Sequence, residues 1–312
     1  MDVVGGLLSG TRAQGAFMLR SMLDPPFSLR IEDHAPLTLV AMLRGGAWVI
    51  PDDEPVEINA GDVAIIRGPH PYTVADNIDT PPQIVIDEDQ RCTTIDGEEL
   101  YQSMALGVRT WGNSLDGETV MLTGTYTMDT EVSQRLLRTL PQVTVLRGDE
   151  WGSPLIPILE HEVIKDEPGQ EVILDRLLDV LLLTAVKAWL SRSDTETPGW
   201  YAAQSHPGVG TALRSIYNNP AYPWTVAELA SAARMSRAAF SRQFTDLVGE
   251  PPMTYLTNWR LTLAADLLCE PGATIGSVAD QVGYGSPYAL SAAFKRVRGV
   301  SPKEHRLARR AG

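Results

Sequence analysis

The chain of 312 residues is 44% hydrophobic and 21% charged, values that are ordinary for a globular protein, and its length predicts two domains. Its longest apolar run, Val180–Val186, is too short to cross a bilayer, and the first residues lack the basic region of a signal peptide. Two cysteines do not predict a disulfide framework. We therefore expect a cytoplasmic protein with no membrane partner.

The net charge of −13 is divided unevenly along the chain. Residues 207–312 hold 12 Lys+Arg and 7 Asp+Glu, a net charge of +5, whereas residues 1–206 hold 14 and 32, a net charge of −18. A positive surface attracts nucleic-acid phosphates, and a strongly negative one repels them. Only the last third of the chain therefore has the charge of a nucleic-acid-binding domain.

Residues 16–95 consist of short segments rich in β-forming residues, which Gly, Pro and Asp separate. This pattern predicts strands and turns of an all-β domain. Two segments, LVAMLRGGAWV and NAGDVAIIRGPHPYTV, resemble a cupin-like barrel. The resemblance implies that the barrel, or what remains of its cavity, binds a small effector.

Six residues within 16–95 are candidates to line such a cavity: His34, Leu39, Met42, Trp48, His70 and Tyr72. All but the two histidines would serve equally as plain barrel core. Metal-binding cupins carry a His-x-His pair that is missing here, and a catalytic metal usually needs about three protein ligands. We therefore expect no metal and no cofactor, with His34 and His70 as loop or pocket-wall residues.

Cys92 follows these strands in the polar segment DEDQRCTTIDGEEL, where we expect an exposed loop. An exposed thiol can be oxidised, which makes a thiol-based redox sensor an alternative function. The neighbouring residues are mostly acidic, however, and acidic neighbours raise the pKa of a thiol and lower its reactivity. We interpret Cys269, at the end of an apolar segment, as a small buried hydrophobe.

Two helices are predicted next, over residues 131–141 and 170–192. The second is apolar on nearly all sides, so it needs packing partners on more than one side. One partner would be its own domain, and the other would be a second subunit in a homodimer. The alternative is a single helix buried within one domain. Residues 1–192 would form the first domain, and the polar residues 193–206 a linker.

Residues 225–305 contain one pattern twice. The first copy reads TVAELASAARMSRAAFSRQF and the second TIGSVADQVGYGSPYALSAAF, with Ala230 and Ala279 lying 49 residues apart. Each copy combines a small residue, a turn, a helix-capping Ser and a second apolar helix, which is the pattern of a helix-turn-helix. We predict helix-turn-helix units over 225–247 and 274–297.

In such a unit the second helix enters the major groove of DNA. The candidate DNA-binding residues of the first unit are Ser236, Arg237, Ala238, Ser241 and Arg242, and those of the second are Ser286, Pro287, Tyr288, Ser291, Ala292, Lys295 and Arg296. Arg242 is the best candidate for a base contact because Arg reads guanine with two hydrogen bonds; the alternative is a phosphate contact. The inward residues would be Phe240, Phe244 and Leu247 in the first unit and Leu290, Phe294 and Val297 in the second. The groove-entering helix of the second unit offers few residues that can read bases, so we expect it to recognise DNA shape and phosphates.

The segment between the two units has apolar residues at helical spacing and predicts a helix over about 253–268. That helix would be ~25 Å long, which suits two recognition helices in successive grooves about one DNA turn, ~34 Å, apart.

These residues carry a further resemblance. Residues 207–310 resemble the DNA-binding domain of the AraC/XylS family of transcription regulators, most specifically over 275–306. The resemblance implies base contacts at Ala238, Ser241 and Arg242, a dimer, and RNA polymerase as a partner. Ala238 and Ala292 depart from the family's usual larger or basic residues.

The expected protein is thus of the α+β class: a cupin-like β-barrel with dimerisation helices, followed by an all-α domain with two helix-turn-helix motifs. We expect a regulator that binds double-stranded promoter DNA and that a small molecule controls, and not an enzyme. A cupin metalloenzyme fused to a DNA-binding domain is the alternative from another class. The sequence lacks the features that an enzyme would need: it has no His-x-His pair, no Ser-His-Asp spacing and no phosphate-binding glycine loop.

Overall fold

A computed structural model describes residues 18–126, 130–192 and 199–311, without the side chains of residues 136, 310 and 311. The described residues divide into two compact units. The β unit comprises residues 18–126 and 136–191, and the helical unit comprises residues 130–135, 192 and 199–311. Residues 193–198 of the predicted linker lie outside the described residues.

The β unit contains two sheets. Its strands are β1 (Met18–Leu23), β2 (Ser28–Ile31), β3 (Leu37–Arg44), β4 (Gly46–Ile50), β5 (Val56–Asn59), β6 (Val63–Arg67), β7 (Tyr72–Ala75), β8 (Ile84–Ile86), β9 (Cys92–Thr94), β10 (Ala105–Gly107), β11 (Thr110–Gly112), β12 (Thr119–Tyr126) and β13 (Val143–Leu146). One sheet has the order β10-β11-β1-β12-β3-β6-β13, and the other β5-β4-β7-β2-β8-β9. Most neighbours are antiparallel; β1 with β11 and β2 with β8 are parallel.

Residue alternation along the strands divides the core of the β unit into two layers. On β3, Val40 and Met42 join the apolar cluster that both sheets build between them. Leu39 and Ala41 face the other way, towards Leu159 and Leu178. Successive side chains of a strand point to opposite faces, so one strand serves both layers.

Three helices of the β unit follow β13 in the described residues: α2 (Gly148–Trp151), α3 (Leu155–Val163) and α4 (Gln170–Leu190). The helix α1 (Glu131–Leu137) precedes β13, and its residues 131–135 belong to the helical unit. The prediction placed the end of α1 at residue 141. It ends earlier because Pro141 disfavours helical geometry in the residue before it. No helix in the described residues is long and apolar enough to cross a membrane.

The helical unit continues with α5 (Gly199–Ala202), a 3₁₀ turn (Ala203–Ser205), α6 (Pro207–Asn218), α7 (Val226–Ala232), α8 (Arg237–Val248), α9 (Pro252–Leu267), α10 (Ile275–Val282), α11 (Pro287–Arg298) and α12 (Pro302–Ala311). The pairs α7–α8 and α10–α11 are the two predicted helix-turn-helix units. The predicted helix between them is α9, shifted by one residue at each end.

Candidate nucleic-acid interface and effector cavity

The first helix-turn-helix begins with a reciprocal cap. The Thr225 Oγ1 accepts the backbone N–H of Glu228 at 3.2 Å, and the Glu228 carboxylate accepts the backbone N–H of Thr225 at 2.8 Å. The helix α7 ends at Ala232, and the turn that follows contains a left-handed residue, Arg234 with φ +56°. The Met235 N–H then donates to the Ala230 carbonyl at 2.9 Å, which closes the turn. These bonds satisfy the N–H and C=O groups that a short helix leaves free at its ends.

The second unit repeats this arrangement with different residues. Thr274 and Ser277 cap each other at the start of α10, at 3.0 and 3.1 Å. The left-handed residue is Gly283, with φ +79°. Tyr284 N–H donates to the Ala279 carbonyl at 2.8 Å. Ala230 and Ala279 are both buried where the two helices of each unit cross.

Both recognition helices start at the predicted serines. The hydroxyl oxygen of Ser236 accepts the N–H of Ala239 at 3.3 Å, and that of Ser286 accepts the N–H of Ala289 at 3.2 Å. Pro287 occupies the first turn of α11, where no hydrogen-bonding N–H is needed. The directions of α8 and α11 are thus fixed from their first residue.

The helix α8 separates its faces as the sequence predicts. Phe240 and Phe244 are fully buried, whereas Arg237, Ala238 and Arg242 are exposed. Ser241 lies half-buried between the faces, and Leu247 is only half-buried at the end of the helix.

The helix α11 buries Leu290 and Phe294 and exposes Ala292, Lys295 and Arg296. Ser286 and Ser291 are half-buried, and Pro287 is exposed. Tyr288 is 87% exposed, so its ring and hydroxyl are free to contact a partner.

The prediction that Val297 faces inward is wrong. Its side chain is 47% exposed, and Ala293 takes the buried position beside Phe294. The last turn of α11 extends beyond the small core of this unit, so helical spacing alone overestimates how far the buried face runs.

The helix α9 holds the two helix-turn-helix units at a fixed separation, because each half of α9 packs into the core of a different one. Tyr255 and Trp259 are buried with α6 and α8, and Tyr255 hydrogen-bonds to the hydroxyl of Tyr217. Leu261 and Ala265 belong to the cluster formed with α10 and α11. Midway, the Arg260 guanidinium donates to the carbonyls of Pro220 and Tyr222, both at 2.7 Å.

Not every basic residue of α11 is free. The Arg298 guanidinium lies 2.8 Å from the Glu131 carboxylate, and Arg309 lies 3.9 Å from it. Burial raises the pKa of Glu131, but the hydrogen bond and charge of Arg298 outweigh burial, and the pKa is lowered. Asp266 accepts the backbone N–H groups of Glu131 and Val132 at 2.6 and 3.1 Å and so holds the first turn of α1 in the helical unit.

The β unit contains a cavity of about 540 Å³, counting its open mouth. Its lining is mostly apolar and comes from both sheets; it includes Leu19, Ser21, Leu29, Ile31, Asp33, Val40, Tyr72, Val74, Ile86, Gln90, Trp111, Met121, Thr123 and Thr125. A largely apolar cavity with a few polar groups is the usual form of a small-molecule site.

Of the six predicted effector residues, Tyr72 alone lines this cavity. Leu39 points to the helix-facing layer, which corrects its predicted role, and Met42 is buried in the core between the sheets. His34 and His70 are exposed, and the His34 imidazole lies 3.1 Å from the Pro69 carbonyl oxygen. Trp48 is half-buried on β4.

The sequence interpretation missed lining residues from β11 and β12, because it took its candidates from residues 16–95 alone. The signal for β12 was present: TVMLTGTY is rich in residue types that favour strands, such as Val120, Thr123 and Tyr126. The signal for Trp111 was absent, since a short strand shows no periodicity.

The prediction that Cys92 lies in an exposed loop is wrong. It lies on β9, is only 6% exposed and belongs to the core between the sheets. Burial, with a smaller contribution from the charge of Asp87, raises the pKa of the Cys92 thiol to about 11. Cys269 is half-buried, and its thiol lies 3.4 Å from the Ala265 carbonyl oxygen. Within the described ranges, no group of three or more His, Cys, Asp or Glu residues could hold a metal ion.

Comparisons with known proteins match both units. A family model described as cupin matches residues 2–191, and one described as a helix-turn-helix domain matches residues 229–308. A putative AraC-like transcription regulator of Streptomyces antibioticus is 31% identical over 274 residues, which cover 85% of each chain. A second, from Streptomyces lividans, is 31% identical over 315 residues and 98% of each chain.

Among solved structures, the DNA-binding domain of the global transcriptional factor AdpA, in complex with a target DNA, is 34% identical. It covers 34% of this chain and 96% of its own, with a TM-score of 0.33. The relatives from the two Streptomyces species span most of the chain and match it in both units. The chain therefore belongs to the AraC-like family of DNA-binding transcription regulators, with a cupin domain followed by a helix-turn-helix domain.

Proposed function

We propose that this regulator reads DNA bases mainly with α8 and holds phosphates mainly with α11, the two helices entering successive major grooves. One observation carries the proposal. Each capped helix has a buried aromatic or aliphatic face and an opposite exposed face that carries Arg or Lys, at Arg237 and Arg242 on α8 and at Lys295 and Arg296 on α11. Base edges and phosphates are the partners of such side chains in a groove.

The proposal is tested by selecting binding sites from random duplex DNA with the full chain. We expect two contacted segments about 10 base pairs apart, with stronger base preference in one than in the other. Selected sites with no common sequence would contradict sequence-specific reading. Ser241→Glu should abolish the selected binding, because it places a carboxylate at the edge of the exposed face of α8, next to Arg242. Ser103→Glu adds the same charge to an exposed position of the β unit and should leave binding unchanged.

We propose that the chain forms a homodimer through α4, with 1–192 as the sensing and dimerisation domain, 193–206 as linker and 207–312 as the DNA-binding domain. The support is an apolar stripe on α4 that the described residues leave uncovered. Leu174, Leu178 and Leu181 are buried, whereas Val172, Ile173, Val180 and Leu183 remain exposed. Apolar residues that recur on the outer face of a helix mark an interaction surface.

Sedimentation velocity tests the dimer. The unaltered chain should sediment as a dimer, and Val180→Glu should convert it to a monomer because a carboxylate would be buried in the interface. Ser103→Glu, at an exposed position outside α4, is the control and should remain dimeric. A monomeric unaltered chain at tens of micromolar, or a dimeric Val180→Glu variant, would contradict the proposal.

We infer further that the β-unit cavity receives a small-molecule effector, that the regulator acts on RNA polymerase in the cytoplasm, and that it is not an enzyme. The named relatives are transcription regulators, and this supports the inferences on RNA polymerase, on location and on the lack of enzyme activity. An effector can act only through different affinities for the two states of the regulator. The cavity supports ligand control better than thiol control, because the buried Cys92 with its raised pKa has little reactive thiolate.

A further inference from the structure

The cavity of the β unit has a charged end. Asp33 lines it and is half-buried. One carboxylate oxygen accepts the backbone N–H of Ala35 at 3.1 Å, and the other accepts the side-chain amide of Gln90 at 3.4 Å. In the part of the chain that the structure describes, no Lys, Arg or His lines this cavity and no ion pair compensates Asp33.

The negative charge of Asp33 acts on the interior of the cavity. Tyr72 is buried on the same wall, and burial, with the charge of Asp33 as the next cause, raises the pKa of its phenol. A carboxylate beside an apolar space, where the dielectric constant is low, attracts a cation more strongly than one in water and repels an anion.

One residue of the cavity lining also has a buried hydrogen-bond donor without a partner among the described residues. Trp111 is 3% exposed and lines the cavity, and its indole N–H meets no acceptor among the described residues. A buried N–H is costly to leave unpaired, so a ligand oxygen placed there would be favoured. Aromatic rings such as those of Tyr72 and Trp111 also attract organic cations to their faces.

We propose that this cavity binds a small hydrophobic amine that also carries a hydrogen-bond acceptor. The ammonium group pairs with Asp33, the acceptor meets the Trp111 N–H, and the apolar body packs against residues such as Leu29, Val74 and Met121. The inference rests on the proposed role of the cavity as the effector site, and it assigns that effector a chemical class. It excludes carboxylates as preferred ligands, since Asp33 would repel them.

Three compounds with one phenoxy body and different end groups test the ligand class by isothermal titration calorimetry of the full chain. They are 2-phenoxyethylamine, 2-phenoxyethanol and phenoxyacetate. The amine should bind at least ~10-fold more tightly than the alcohol, because it alone makes a charge-assisted hydrogen bond to Asp33, and phenoxyacetate should bind most weakly. Equal binding of the amine and the alcohol, or no binding of any of the three at millimolar concentration, overturns the proposal.

Asp33→Asn removes the charge and keeps an oxygen that can accept the Ala35 N–H. This substitution should weaken binding of the amine by ~10-fold and leave binding of the alcohol unchanged. Asp52→Asn makes the same change at an exposed position outside the cavity and should alter neither. Unchanged amine binding by Asp33→Asn also overturns the proposal.

Parallel titration of the selected DNA separates the two proposals. A chain that binds its DNA site but no amine keeps the DNA-reading function and loses the ligand class. A chain that binds the amine but prefers no DNA sequence keeps the ligand class and loses the DNA-reading function.

Discussion

The two helix-turn-helix units, aligned at Ser236 and Ser286, share a buried framework and differ on their exposed faces. Phe240 and Phe244 correspond to Leu290 and Phe294, and all four are fully buried. The same capping hydrogen bonds start both recognition helices. Packing and capping therefore fix where each helix lies, and they leave the exposed residues free to diverge.

Charge is placed differently on the two recognition helices. The first carries Arg242 where the second has Ala292, six residues after each capping Ser. Near the C-terminal end the second helix carries the positive charge instead: it has Lys295 and Arg296 where the first helix has Thr245 and Asp246. This difference in charge is the basis of the proposed roles, in which Arg242 of α8 contacts a base and Lys295 and Arg296 of α11 contact phosphates.

The turns of the two units reach the same geometry with different residues. Arg234 and Gly283 are equivalent, four residues after Ala230 and Ala279, and both have positive φ. Arg234 is exposed. A Cβ on Gly283, by contrast, would lie 2.4 Å from the backbone oxygen of Ala221. Only the second turn therefore requires glycine for close packing as well as for conformation.

Gly283→Ala should have the largest effect. The added methyl group would be forced against backbone atoms in a left-handed conformation, and we expect a loss of about 3 kcal/mol in the free energy of unfolding. Urea denaturation measures it. Arg234→Ala is the control in the first turn and should change stability by less than about 0.5 kcal/mol. Equal effects of the two substitutions would remove the distinction between the turns.

Arg242→Ala should weaken specific DNA binding by ~1–3 kcal/mol and relax one position of the site, because a bidentate base contact is lost. Fluorescence anisotropy with the selected site and single-base variants of it measures both effects. Ala292→Arg, at the equivalent position of α11, should strengthen binding. Unchanged affinity and sequence preference in Arg242→Ala would refute its assigned role.

Lys295→Gln should weaken binding to all sequences alike and reduce the slope of log affinity against log salt by ~0.9, since one phosphate contact is lost. Anisotropy titrations at several salt concentrations give the slope. Arg91→Gln, at an exposed position of the β unit outside α4, provides the comparison and should keep the original slope. A change in sequence preference in Lys295→Gln would instead assign it a base contact.

Glu228→Gln should have the smallest effect, and one that depends on pH. Hydrogen bonds from the Thr225 side chain and backbone lower the pKa of Glu228 below 4.5. A depressed pKa stabilises the folded state above the unfolded value, and this stabilisation is lost as pH falls through the folded pKa. The unaltered chain should therefore exceed the variant in stability at neutral pH and lose the advantage below pH 4.5. Thermal unfolding across that range measures the difference; Ser277→Ala, whose cap has no carboxylate, should show no such dependence.

The sequence predicted the helical unit closely and the cavity poorly. Capping serines, small residues at helix crossings and apolar spacing are local features, so the starts of α8 and α11 follow from residues a few positions apart. Val297 was wrongly predicted to be buried because the last turn of α11 extends beyond the core of its unit. In the β unit, by contrast, a wall of the cavity is formed by residues far apart in the chain, such as Asp33 and Gln90. No local pattern contains that information.

By itself, the sequence determined the repeated helix-turn-helix, its N-caps, its basic charge and the β-rich character of the first unit, because each is a property of neighbouring residues. Only the tertiary structure decided that Cys92 is buried, that Leu39 and Val40 serve different layers, and that Asp33, Tyr72 and Trp111 meet around one cavity. Strand register and sheet pairing set those contacts, and a change of one residue in register moves a side chain to the opposite face.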